Sequence, residues 1–135
     1  MKNKTLVILF CIIFFFSNFN KLLSDDFIFE STSIEINKEE NIVIAKDGVL
    51  INSNDNLEIT SDRASYFKEK KLLKLRGNVI IKDNNQNIII RSENIDYEKN
   101  IEKIISKNDK KIDIEDDFII EGKNINFFRL EKIVK

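Results

Sequence analysis

Arg76-Gly77-Asn78-Val79-Ile80-Ile81, followed after a polar turn by Ile88-Ile89-Ile90-Arg91-Ser92-Glu93-Asn94-Ile95-Asp96-Tyr97, decides how this chain folds. It reads as strand, turn and strand, closing on an aromatic, and the same phrase occurs before and after it. Asp47-Gly48-Val49-Leu50-Ile51 leads into Leu57-Glu58-Ile59-Thr60-Ser61-Asp62-Arg63-Ala64-Ser65-Tyr66. There Leu57, Ser61, Asp62, Ala64 and Tyr66 stand 31 positions before Ile88, Ser92, Glu93, Ile95 and Tyr97. Phe118-Ile119-Ile120-Glu121-Gly122-Lys123-Asn124-Ile125-Asn126-Phe127 repeats the phrase at a spacing of 30. A period of this length marks stacked supersecondary units.

Within and between the repeats the apolar residues alternate with a period of two. Examples are Phe27/Phe29, Ile42/Ile44, Val49/Ile51, Leu57/Ile59, Val79/Ile81, Ile88/Ile90 and Ile95/Tyr97. Alternation of β-branched residues with Glu, Lys, Asn and Ser is the pattern of half-buried strands. Polar clusters at Asn37–Asn41, Asn52–Asn56, Lys68–Lys71, Asp83–Asn87 and Lys107–Lys111 separate them as turns. Ile101 to Ile105 has a partly helical spacing, but the repeat aligns it with Leu72–Leu75 and predicts a strand. Gly48 and Gly77 each open a strand, where a glycine permits a bend with positive φ. The chain is therefore all-β, and its 135 residues suffice for one domain.

The first 24 residues stand apart. Lys2 and Lys4 precede eleven uninterrupted apolar residues, Leu6 to Phe16, and a more polar tail ends at Ser24. This is the shape of a signal peptide over residues 1–24, with the domain at 25–135; the apolar run is short for a bilayer span. A retained anchor from Thr5 to Leu23 is the alternative, disfavoured by Asn18 and Asn20. Cys11, the sole cysteine, lies in the apolar run behind the bulky Leu9 and Phe10, unlike a lipidation site, and no disulfide is expected after cleavage. Loss of Lys2, Lys4 and Lys21 leaves 19 basic against 23 acidic residues, a net charge of −4. That balance argues against a nucleic-acid partner.

Chemistry is scarce. The chain holds no His and no Trp, which excludes imidazole acid–base catalysis and the usual zinc sites, and no metal or other cofactor is expected. There is no P-loop. Asp62 and Glu93 occupy equivalent repeat positions, yet beside Arg63 and Arg91 they read as solvent-face charges rather than a glycosidase dyad. Tyr66 and Tyr97 read as packing residues with their hydroxyls in water. No enzymatic role is expected. For the apolar strand faces two readings stay open, a closed sandwich core and a trough left between facing sheets.

The pattern Gly-x-Val-x-Ile, then Leu-x-Ile-x-Ser-Asp/Glu-x-Ile/Ala-x-Tyr, resembles the OstA-like repeat of lipopolysaccharide-transport proteins. These are the periplasmic LptA type and the N-terminal domain of the LptD translocon; the membrane-anchored LptC type is the nearer relative if the N-terminal segment is retained. Ile42–Tyr66 and Leu72–Tyr97 carry the resemblance best, with Phe118–Phe127 weaker. It implies an antiparallel β-jellyroll, the folded "β-taco", that shields lipopolysaccharide acyl chains in an apolar groove. Such domains stack end to end in a bridge from inner to outer membrane, for outer-membrane assembly. The implied groove residues are Ile36, Ile44, Ile51, Ile59, Tyr66 and Leu75, continued by Ile81, Ile90, Tyr97, Ile114, Ile120 and Phe127. Docking by strand addition would use Phe27 and Phe29 at one edge, and Ile125 and Phe127 at the other. Asp25, Asp26 and Glu30 face Lys123 and Arg129 in that scheme, favouring a head-to-tail homo-oligomer or stacking on related jellyrolls. The chain reads as a minimal bridge protein, with the front piece of a translocon as the alternative. A parallel β-solenoid with a structural surface role is the rival from another class.

Overall fold

Antiparallel pairing joins every strand of a computed structural model that describes residues 20–23, 26–106, 110–114, 118–122, 124–129 and 133–134. The strands are β1 (Asn20–Leu23), β2 (Phe27–Ser31), β3 (Ser33–Asn37), β4 (Ile42–Ser53), β5 (Leu57–Phe67) and β6 (Leu72–Asp83). They continue as β7 (Ile88–Glu98), β8 (Lys103–Ser106), β9 (Lys110–Ile114), β10 (Phe118–Gly122), β11 (Asn126–Phe128) and β12 (Ile133–Val134). Antiparallel register throughout excludes the parallel solenoid.

The four long strands do more than span one sheet. β4 pairs with β3 through Ile42–Lys46 and with β2 through Leu50–Ser53. β7 likewise pairs with β9 through its first half and with β8 through its second. Register shifts at Lys46/Val49, Thr60/Arg63 and Arg76/Val79 divide each long strand at this point. One twelve-stranded sheet is thus folded on itself along a corner of bulges, which bend a strand and sharpen its twist. The first half-sheet contains β3, β8, β11 and β12; the second contains β1, β2, β9 and β10; β4 to β7 cross the corner between them. This is the antiparallel jellyroll, whose sheet does not close on itself as a barrel.

Sequence explains the corner. Gly77 has φ +78, and a Cβ on it would lie 2.3 Å from Asp62 Oδ2, so only glycine fits without displacing that carboxylate. Asp47, Gly48 and Asn78 also have positive φ. At the same bend, Ser31, Ser61 and Ser92 each donate a hydroxyl hydrogen bond to the carbonyl two residues on, at 3.2, 3.0 and 3.1 Å. Ser31 reveals a repeat unit the sequence reading missed: Phe27, Phe29, Ser31, Ile34 and Ile36 stand 30 positions before Leu57, Ile59, Ser61, Ala64 and Tyr66.

Two expectations shift. The strand expected over Ile101–Ile105 begins later, as a 3-10 turn over Lys99–Ile101 precedes β8 and leaves Ile101 exposed. Asn20–Leu23, within the stretch read as a leader, forms β1 on the edge of β2, with Lys21 paired to Glu30 at 3.1 Å. Residues 1–19 and 24–25 of that stretch lie outside the described residues.

Candidate functional site

Register aligns the inward side chains in rows that run from strand to strand. In the second half-sheet the row is Leu22, Phe29, Ile51, Ile59, Ile81 and Ile90. The backbone pairing itself continues from Ile90 to Ile112 and then Ile120, whose side chains lie outside the described residues. In the first half-sheet Ile36, Val43, Tyr66, Leu73, Tyr97, Ile104 and Phe127 align in the same way. Ile34, Ala45, Ala64, Leu75 and Ile95 form the neighbouring row. The result is an apolar interior continuous along the stacking direction of the strands.

Eight of the expected groove residues meet there: Ile51, Ile59, Tyr66, Leu75, Ile81, Ile90, Tyr97 and Phe127 are each at most 2% exposed. Aromatic rings touch across the two halves, with Phe27 and Tyr66 centroids 5.0 Å apart and Phe27 and Tyr97 6.2 Å apart. Of the two readings left open by the sequence, the described residues along β4–β7 form the closed core. Ile36 ends its inward row on edge strand β3, 49% exposed. Ile44 sits on the outer face, opposite Ser65, because Ile42-Val43-Ile44-Ala45 offers two alternations and the pairing turns Val43 and Ala45 inward. Ile36 and Ile44 border an open recess with Glu35 and Lys38. The side chains of Ile114 and Ile120 lie outside the described residues.

The edge strands also differ from expectation. β2 is covered by β1, and β11 by β12, so Phe27, Phe29, Ile125 and Phe127 belong to the buried cluster. Of the edge charges, Asp25 and Lys123 lie outside the described residues, and Glu30 pairs with Lys21. Arg129 is buried, and Asp26 accepts the Tyr66 hydroxyl at 2.5 Å.

Opposite the corner, the turns of each half-sheet form a lip. Backbone hydrogen bonds tie the turns along the first lip, from Lys68 N to Asn41 O at 3.1 Å and from Lys99 N to Lys71 O at 2.9 Å. Asn84 N to Asn56 O, 3.2 Å, does so on the second. Among the described residues, three ion pairs stand between the lips. Lys71 faces Asp26 at 3.8 Å, Lys99 meets Asp55, and Arg129 Nε donates to Asp83 Oδ2 at 2.8 Å. The acids all come from the second lip and the cations from the first.

The Arg129 end is an extended network. Arg129 also reaches Glu102 and the Tyr97 hydroxyl, at 3.0 Å from the latter, and Tyr97 donates to Glu102 at 2.5 Å. Gln86 Nε2 donates to Arg129 O at 2.7 Å. Burial, then the Glu102 hydrogen bond, raise the Tyr97 phenol well above its ordinary value. For Lys99 burial acts to lower the pKa, but the hydrogen bonds to Asp55 and Glu102 outweigh it and the net shift is upward. Both tyrosine hydroxyls are therefore held by carboxylates rather than left to water. The signal in the sequence was periodic: Asp26, Asp55 and Asp83 are 29 and 28 apart, and Lys71, Lys99 and Arg129 are 28 and 30 apart.

Asp62 and Glu93 lie exposed at the corner, where Asn78 Nδ2 donates to Asp62 at 3.0 Å. Among the described residues no cluster of His, Cys, Asp or Glu is arranged to hold a metal ion.

A family model described as OstA-like protein matches residues 17–118. The fold is similar to a solved structure of LptH from Pseudomonas aeruginosa, described as the LptA-homologous periplasmic component of the conserved lipopolysaccharide transport device. The TM-score is 0.74 at 13% identity, over 81% of this chain and 80% of that one. No curated protein matches.

Proposed function

The chain belongs to the OstA-like protein family, and from that premise we propose that it is a non-catalytic periplasmic component of lipopolysaccharide transport, holding acyl chains between its half-sheets. The observation that carries this reading is the inward apolar row from Phe29 to Ile90, joined strand to strand without a polar interruption. The need for such an interior is physical. Each CH₂ kept from water is worth ~0.8 kcal/mol, so one twelve-carbon chain exposes on the order of 10 kcal/mol. A lipid with several chains crosses an aqueous gap only if shielded. Strand segments of five or six residues, ~17–20 Å long, match the length of an extended chain. The half-sheets are packed against each other through a shared core, so loading requires that they separate.

Stacking on related jellyrolls, or on a second copy, uses the strand edges. β1 occupies the outer edge of β2. Removal of a leader at Ser24 would strip it away and free Phe27–Ser31 for strand addition, whereas a retained segment keeps that edge capped. LptH is described as periplasmic, and export to the periplasm is the corresponding location for this chain.

The test is photo-crosslinking to lipopolysaccharide. A crosslinker at Ile59 or Ile90 should capture lipid, while one at Glu58 or Arg91, on the outer face, should not. Equal capture from both faces, or none from either, refutes the reading.

A further inference from the structure

Among the described residues, the lips form a seam at which the fold widens without breaking a β-ladder. At the corner the two half-sheets are covalently continuous through β4 to β7. The backbone bonds between turns run along each lip. Across the seam, the polar links described above are made by side chains, and the ion pairs among them are graded, with the Tyr66 hydroxyl bond to Asp26 as the further link to part at the Asp26 end. Lys71 and Asp26 are 3.8 Å apart, with side chains 53% and 20% exposed; Arg129 and Asp83 are 2.8 Å apart, at 6% and 3%. A solvated pair separates at little cost, whereas separating a buried pair strands charge in the interior. The apolar face is already uncovered at the weak end, where Ile36 is 49% exposed and Ile34 is only partly buried.

We infer that the row of lip ion pairs is a lateral gate. Acyl chains enter by parting the seam from the Asp26–Lys71 end, Asp55–Lys99 yields next, and the Arg129–Asp83–Tyr97–Glu102 network stays shut as the stop. The lipid component of this inference rests on the transport reading above; the graded opening of the seam does not.

The full chain with Cys11→Ser provides a thiol-free background. Asp26→Cys with Lys71→Cys, bridged by a short bismaleimide, staples lip to lip. Asn41→Cys with Glu69→Cys, whose native side chains are 3.1 Å apart on the first lip, staples two turns of one lip as the control. Uptake of fluorescently labelled lipopolysaccharide should slow about tenfold or more with the first staple and be unchanged with the second. Uptake unaffected by the lip-to-lip staple overturns lateral loading. A lipid-free measurement reads the gradient itself. Val43→Cys and Ile104→Cys replace buried residues of one inward row, near the weak and the strong end. Maleimide should label the former about tenfold faster, and the staple should abolish the difference. Equal rates overturn the graded seam. If the unstapled protein takes up no lipopolysaccharide while the labelling gradient holds, the transport reading falls and the graded seam stands.

Discussion

Corner and lips close the same interior by opposite means. At the corner, closure is built into the backbone. Asp47, Gly48, Gly77 and Asn78 adopt positive φ, and Ser61 and Ser92 hold the bend with local hydrogen bonds. At the lips, closure depends on side chains from distant parts of the chain: Asp55 and Lys99 are 44 residues apart, Asp83 and Arg129 are 46. The corner cannot open without unmaking strands, and the lips can. If the domain holds and releases lipid as proposed, this division gives it a fixed spine and a reversible seam.

The sharpest test of the contrast is Arg129→Ala. It leaves Asp83 buried with its cation gone and should cost about 3–5 kcal/mol, read by urea unfolding. A cost below that of an exposed pair would mean the strong end of the seam is not held by charge. At the corner, Gly77→Ala should cost about 1–2 kcal/mol for positive φ, plus displacement of Asp62. Gly48→Ala, with φ +79 but open space around it, should lose only the conformational part. Equal losses would remove Asp62 from the account of the corner.

Tyr97→Phe deletes two hydrogen bonds, one donated to Glu102 and one accepted from Arg129, and should cost about 1–2 kcal/mol at neutral pH. It also affects the alkaline limb. The folded-state values of Tyr97 and Lys99 are both raised, so their contribution is complete below the unfolded values near 10 and is lost as pH climbs through the folded ones. Thermal melts should therefore show stability falling above about pH 10, less steeply in Tyr97→Phe. The smallest effect is expected at the weak end: Lys71→Ala should change stability by less than about 0.5 kcal/mol.

The repeat, the alternation and the turns were legible because each is local. Leu57-Glu58-Ile59 and Ile95-Asp96-Tyr97 show which side faces inward within two residues. Ile42-Val43-Ile44-Ala45 does not, since four apolar residues in a row carry no phase, and pairing with β3 sets it. The unit Phe27–Ile36 was hidden because it shares few identities with the later ones, although its Ser31 performs the same hydrogen bond. The strand covering β2 was not legible because β1 arises from residues that read as the tail of a leader. The lip ion pairs were least legible: Asp26 and Lys71 look like ordinary turn charges until folding brings the two rims together. Arg129, read as an edge charge, is the buried centre of that network.

The central claim is that the apolar interior, rather than the outer surface, receives acyl chains. Methyl-labelled protein mixed with lipopolysaccharide tests it directly through nuclear Overhauser contacts between isoleucine methyls and acyl protons. The account expects contacts from Ile51, Ile59 and Ile90 and none from Ile44 on the outer face. Contacts from Ile44 alone, or an unperturbed interior in the lipid-bound protein, would contradict it.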